Sequence, residues 1–198
     1  MKILIDNGHG EETPGKCSPD KKLHEYKWTR EIAQRIVDAL KIRGYDAERL
    51  VTEKWDVGLP QRCQRVNAAC KKHGTSNVLL VSIHNNAAPP PDGNWHTATG
   101  WSVWVYTHAG AQSKQLAQSL YAEAEKHGLK GNRSVPSCKY WAANFYILKN
   151  TVCPAVLTEN LFQDNREEVA YLLSENGKRT LVQLHIDGII NYIKSQKR

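Results

Sequence analysis

Four residues of this 198-residue chain combine chemistry-bearing side chains with telling positions. His9 follows the apolar run of ILIDNGHG and sits between two glycines, His84 closes VLLVSIH, Glu159 closes AVLTE, and Glu25 opens a helical pattern whose apolar face begins at Trp28. Two imidazoles and a carboxylate are a known donor set for catalytic zinc, which keeps a fourth position for water. A further carboxylate beside such a site can serve as general base. Each residue alone has a plainer reading: His84 as a hydrogen-bonded core residue, His9 as a turn residue bonded to its own backbone, and Glu25 as an acidic helix-starter favoured by the helix dipole. What groups them is that one fold would bring all four to the same edge.

That fold is read from the spacing of apolar residues. Runs at residues 2–6, 78–84, 101–106 and 155–159 predict strands, with weaker candidates at 46–51 and 145–148. Between them Trp28, Ile32, Ile36 and Leu40 recur at fours, as do Leu116, Leu120 and Ala124, and Leu59, Cys63, Val66 and Cys70 keep a four-three-four rhythm. A closing helix is predicted over 176–194, with Leu181, Leu184, Ile189 and Ile193 on one face. Strands alternating with helices predict an α/β fold with a mainly parallel sheet covered on both faces. Ligands of such sheets bind outside the carboxyl ends of the strands, where His9, His84 and Glu159 fall. The stretch AAPPPDGNWHTATG at 87–100, stiffened by Pro89 to Pro91, must be a loop, either functional or a tolerated insertion.

Composition narrows the classes. Hydrophobic residues make up 40% and charged residues 24%, as in ordinary globular proteins. Lys and Arg total 27 against 20 acids, a charge of +7 that favours polyanionic partners. The basic clusters KCSPDKK and IKSQKR carry no nucleic-acid motif, so they read as solvated surface and nucleic acid is not an expected partner. No apolar run reaches the roughly 18 residues of a membrane span. MKILIDNGHG lacks the apolar run and cleavage site of a secretory signal, so synthesis in the cytoplasm without a signal peptide is expected. The five cysteines show no CxxC pair, and Cys63, Cys70 and Cys153 read as buried thiols. His24, His73, His108, His127 and His185 are assigned to polar helix faces or loops and His96 to the proline-rich loop, most of them solvated. His24 adjoins Glu25, but helical neighbours point roughly 100° apart. A monomer is the default.

Longer motifs add a resemblance. IDNGHG, the helix from Glu25 to IAQRI, RVNAA at 65–69, VLLVSIHNNA, NRS at 132–134, FYILKNTVCPAVLTENLFQDN at 145–165 and the closing helix together resemble the zinc-dependent N-acetylmuramoyl-L-alanine amidases of the Amidase_3 type, a family that includes cell-division amidases, spore-cortex enzymes and phage endolysins. The resemblance covers nearly the whole chain. It implies zinc bound by His9, Glu25 and His84, with Glu159 as the catalytic carboxylate and Phe162 and Asn165 matching the rest of that motif. It also implies a twisted, mainly parallel sheet of about six strands with helices on both faces, in a single catalytic domain over 1–198 with no separate wall-binding domain. The implied substrate is peptidoglycan, at the bond joining N-acetylmuramic acid to the L-alanine of the stem peptide, reached after lysis or by non-classical export. The family usually has Pro where Asn7 stands, a second Gly where Glu11 stands, and Arg-Gly where this chain has Arg133-Ser134, departures that bear on substrate preference and loop shape.

Arg133 could hold a stem-peptide carboxylate with its planar fork, or form a surface ion pair. Trp95, Tyr140 and Trp141 are candidate groove walls, whereas Trp101, which begins a strand, reads as packing. Asp6, three residues before His9, could orient that imidazole through its second nitrogen or simply cap the turn. Two other readings are a catalytically silent wall-binding adaptor, which the presence of all four site residues argues against, and a zinc carboxypeptidase or deacetylase acting on the same polymer.

Overall fold

The computed structural model describes residues 1–90 and 92–196. Pro91 of the proline run and the last two residues of IKSQKR lie outside the described residues. The elements in chain order are β1 (Lys2–Asn7), α1 (Glu25–Ile42), β2 (Asp46–Arg49), α2 (Leu59–His73), β3 (Val78–Asn86), β4 (Ser102–Val105), α3 (Ala111–Lys126), β5 (Trp141–Ala142), α4 (Tyr146–Lys149), β6 (Ala155–Phe162), α5 (Arg166–Leu173) and α6 (Glu175–Ser195), with a 3-10 turn at Thr75–Asn77.

The strands form one six-stranded sheet in the order β2-β1-β3-β6-β4-β5. β2, β1, β3 and β6 are parallel, β4 runs antiparallel to β6, and β5 is parallel to β4. Alternation along the strands feeds two cores. Ile3, Ile5, Leu79, Val81, Ile83, Val103 and Val156 join the apolar stripes of α1, α3 and α6 on one face. Leu4, Leu80, Ala155 and Leu157 meet Cys63, Val66 and Cys70 of α2 and Ile147 and Leu148 of α4 on the other. Each such fully buried side chain contributes roughly 1.5–3 kcal/mol, so the sheet is fixed from both sides.

Register then sets the site. Asn7 of β1 pairs with Ile83 of β3, and His84 of β3 pairs with Glu159 of β6, so three strands finish at one level. Beyond that level β3 and β6 slip past a bulge, where Leu161 takes a φ of 63°. Asn165 ends the turn by accepting from the amides of Glu167 and Glu168 at the start of α5.

The run 145–148 is not a strand. Phe145 precedes the short helix α4, which turns Ile147 and Leu148 into the α2 core, and an apolar run of that length has no period to tell strand from helix. Strand β5 and helix α5 were not predicted, the first because it holds two residues.

Candidate metal centre

His9 stands in the turn after β1 with a φ of 61°, a left-handed conformation that a non-glycine residue adopts at a cost of roughly 1–2 kcal/mol. Its neighbours must be glycines for steric reasons: a Cβ on Gly8 would overlap the His84 ring, and one on Gly10 would overlap the Trp55–Asp56 backbone. The strained turn is held by two arginines. Arg30 Nη1 donates to the His9 carbonyl at 2.9 Å and Arg62 Nη2 at 3.3 Å.

Glu25 opens α1 and is fully buried. Its Oε1 accepts from the Asn85 amide at 2.9 Å and lies 3.2 Å from His84 Nδ1 and 3.5 Å from His9 Nε2. The two imidazole rings stand edge to face, 4.9 Å between centroids. Donor atoms of His9, Glu25 and His84 all lie within 4.8 Å of one another. Glu25 Oε2 is buried with no hydrogen-bond partner, a costly arrangement for a carboxylate unless something else meets it. Asn160 braces the third donor by giving its amide to the His84 carbonyl at 3.0 Å.

Burial and close neighbours set the charge states of the four residues in different directions. Burial pulls His9 down to about 4, although Glu25 opposes this, so the ring is neutral at physiological pH. Burial would raise Glu25, but the hydrogen bond from His84 and the electrostatic pull of the His9 and His84 rings hold it below the ordinary carboxylate range. For His84 burial acts downward, and Glu25, then Glu159, raise it on balance. Glu159 differs: burial pushes it up to about 7, Glu25 adding to the rise and His84, Lys16 and Arg133 working against it. Its Oε2 is likewise buried without a partner. A carboxyl group near 7 beside a three-donor cluster is suited to taking and returning a proton at neutral pH.

Asp6 does not serve His9 as expected. Its Oδ1 takes Arg62 Nη1 at 2.7 Å and its Oδ2 takes Ser82 Oγ at 2.5 Å, so it is committed to a buried ion pair beneath the turn. Arg62, itself 2% exposed, also donates to the carbonyls of Val57 at 2.6 Å and Asn7 at 2.6 Å and to Asp56 at 3.1 Å. It went unnoticed in the sequence although Arg62, Val66 and Cys70 share one helical stripe, which signals a buried arginine. Arg30 and Lys16, whose charge acts on His9, Glu25 and Glu159, carried no such signal.

The outer candidates divide. The Arg133 guanidinium lies over the rings of Trp141 at 5.3 Å and Phe162 at 5.0 Å, with Nε buried and unpartnered. Burial lowers its pKa, while Glu159 and Glu168 raise it. Trp95 instead lies under Arg166 at 4.5 Å, and half-buried Tyr140 rests on the main core. Trp101 is fully buried and donates to Asn160 Oδ1 at 2.8 Å. His24, the residue before α1, lies outside the cluster. His185 is not solvated: it is fully buried, with Nδ1 2.7 Å from the Leu181 carbonyl and Nε2 3.0 Å from Thr158 Oγ1. The five cysteines are free, Cys63, Cys70 and Cys153 buried.

Comparison with known proteins follows the same lines. The sequence model of the Amidase_3 family, described as N-acetylmuramoyl-L-alanine amidase, matches residues 3–191. The endolysin of Bacillus phage SPP1 is 30% identical over 99% of this chain and 67% of its own length. Among solved structures, an N-acetylmuramoyl-L-alanine amidase from Clostridium difficile 630 superposes with a TM-score of 0.82 at 26% identity, covering 98% of this chain and 97% of that one. The catalytic domain of CwlV, an N-acetylmuramoyl-L-alanine amidase from Bacillus (Paenibacillus) polymyxa var. colistinus, gives 0.79 at 25% identity over 98% and 99%.

Proposed function

The chain belongs to the Amidase_3 family of N-acetylmuramoyl-L-alanine amidases, and from that premise we propose that it cleaves the amide between N-acetylmuramic acid and the stem-peptide L-alanine of peptidoglycan, with zinc held by His9, Glu25 and His84 and with Glu159 moving the proton. The observation that carries this reading is the convergence of those three donors within 4.8 Å, beside a half-buried Glu159 whose Oε2 is buried without a partner.

Zinc fits the donor set: two imidazole nitrogens, one carboxylate, and a buried Glu25 Oε2 that lacks any other partner. When bound it supplies a Lewis acid that makes water a nucleophile near pH 7 and polarises a carbonyl. Glu159 then takes the proton of the attacking water on its free oxygen and passes it to the departing L-alanine nitrogen as the tetrahedral carbon collapses, which returns the carboxylate to its starting state. Burial serves both halves of that exchange by bringing its proton affinity close to neutrality. Arg133, whose guanidinium lies over the rings of Trp141 and Phe162, would receive a carboxylate of the stem peptide with its planar fork. The site of action is the cell wall; no helix among the described residues is long and apolar enough to cross a membrane.

Purified protein incubated with peptidoglycan, with and without a chelator, tests this by mass spectrometry. Stem peptides released with a free L-alanine amine from intact glycan, only without chelator, are expected. Trimmed stems still joined to sugar would replace the reading with a carboxypeptidase, and wall binding without release would replace it with an adaptor.

A further inference from the structure

Of the chain's six tryptophans only Trp55 is exposed, at 61%. It lies in the loop that follows β2, and that loop is pinned to the turn carrying His9. The Lys54 carbonyl accepts from the Glu11 amide at 3.0 Å, and the Asp56 amide donates to Glu12 Oε1 at 2.9 Å. The Asp56 carboxylate takes Thr13 Oγ1 at 2.6 Å and Arg62 Nη2 at 3.1 Å. Arg30 reaches the carbonyls of Glu53 at 2.9 Å and Trp55 at 3.4 Å. Gly10 packs so closely on the Trp55–Asp56 backbone that no side chain fits there. The backbone on both sides of Trp55 is thus fixed relative to the metal centre while its ring stays in solvent, where an uncovered aromatic surface of this size has no folding benefit.

The strand order places this loop at the β2 end of the crevice and Arg133, against Trp141 of β5, at the other. The two ends differ in charge. Exposed Glu11, Glu12 and Lys54 border Trp55, and the Arg30 guanidinium there is taken up by backbone carbonyls, whereas Arg133 offers a cation with its Nε unpartnered. Stem-peptide carboxylates are drawn to the end that offers the Arg133 guanidinium. The glycan strand, built of N-acetylated pyranoses with flat C–H faces and peripheral hydroxyl and acetamido groups, suits a broad apolar ring flanked by exposed polar side chains.

We propose that Trp55 is a stacking platform for a pyranose ring of the glycan strand, which sets the direction of the substrate: sugar over the β2 end, peptide toward Arg133. This rests on the amidase reading, but its test does not depend on turnover. Wild-type protein and the Trp55→Ala and Trp55→Phe variants are titrated by calorimetry with peptide-free glycan strands and, separately, with a stem peptide bearing a free L-alanine amine. Stacking of this kind predicts that Trp55→Ala weakens glycan binding about tenfold and peptide binding less than twofold. Trp55→Phe should retain most of the affinity. Wild-type protein that binds no glycan, a Trp55→Ala protein that binds it as tightly as wild type, or equal losses for both ligands would overturn the proposal. A protein that binds glycan through Trp55 yet releases no stem peptides would leave the platform standing and remove the amidase reading instead.

Discussion

On the β1–β2 flank of the crevice the carbonyls of Asn7, His9, Glu53 and Val57 all accept from the guanidinium groups of Arg30 and Arg62, and Asp6 beneath them is doubly bonded. On the β6–β5 flank, Arg133 lies between Trp141 and Phe162 with Nε unpartnered, and Glu159 keeps a buried oxygen with nothing bonded to it. One flank uses its charges to hold backbone in a strained shape; the other keeps its charges uncommitted. On the proposed reading His9 is a metal donor, which must arrive at the same place in every molecule, and it takes a φ that only a well-braced turn sustains. A proton carrier and a substrate anchor must be left free to act.

The contrast breaks most sharply at Glu159. Glu159→Gln should lower turnover on peptidoglycan by about 10² to 10⁴-fold while the thermal midpoint stays near that of wild type, because no hydrogen bond of the fold is lost; a large loss of stability would place Glu159 among the bracing groups instead. Arg62→Ala should behave in the opposite sense. Removing it leaves Asp6 buried and unpaired, a change expected to destabilise by about 3–5 kcal/mol in denaturant melts. In whatever fraction folds, zinc affinity should fall by roughly 10 to 100-fold, read by competition with a chromophoric chelator.

A smaller effect is expected at Arg133. Arg133→Ala should raise KM for stem-bearing substrate with kcat nearly unchanged, and Arg133→Lys should rescue little, since an ammonium lacks the planar fork and its fit between two rings. A fall in kcat at constant KM would move Arg133 from binding into the chemical step. An effect absent at neutral pH and confined to acid conditions concerns His185 in the core beneath β6. Its folded-state pKa is pulled down by burial to about 4, below its unfolded value of roughly 6.5. The unfolded chain therefore binds the proton first, and stability present above pH 6.5 is lost as pH falls toward 4, at up to about 1.4 kcal/mol per pH unit. His185→Gln should flatten that portion of the stability-pH curve; an unchanged slope would assign it to other groups.

How much of this was legible in the sequence follows the same division. His9, His84 and Glu159 could be placed because each ends an apolar run, and a parallel sheet aligns such ends; the Asn7–Ile83 and His84–Glu159 pairings supply that alignment. Glu25 could be placed because it opens a strongly periodic helix. The bracing could not, since Arg30 and Arg62 find their carbonyls across loops whose paths no local pattern specifies. Asp6 was read either as orienting His9 or as capping the turn, whereas its partners Arg62 and Ser82 come from α2 and β3. His185 lies four residues after Leu181 on the buried stripe of α6, so its position held the signal that its polarity obscured. The segment 145–148 failed for want of length: four apolar residues fit a strand edge and one turn of helix equally well.

The division of labour between Glu25 and Glu159 is tested most directly by the zinc content of Glu25→Gln and Glu159→Gln proteins, measured side by side after dialysis against limiting zinc. Wild type and the Glu159→Gln protein should each retain about one zinc per chain, and the Glu25→Gln protein should lose it. Zinc retained by Glu25→Gln, or lost from Glu159→Gln, would contradict the assignment of one carboxylate to the metal and the other to the proton.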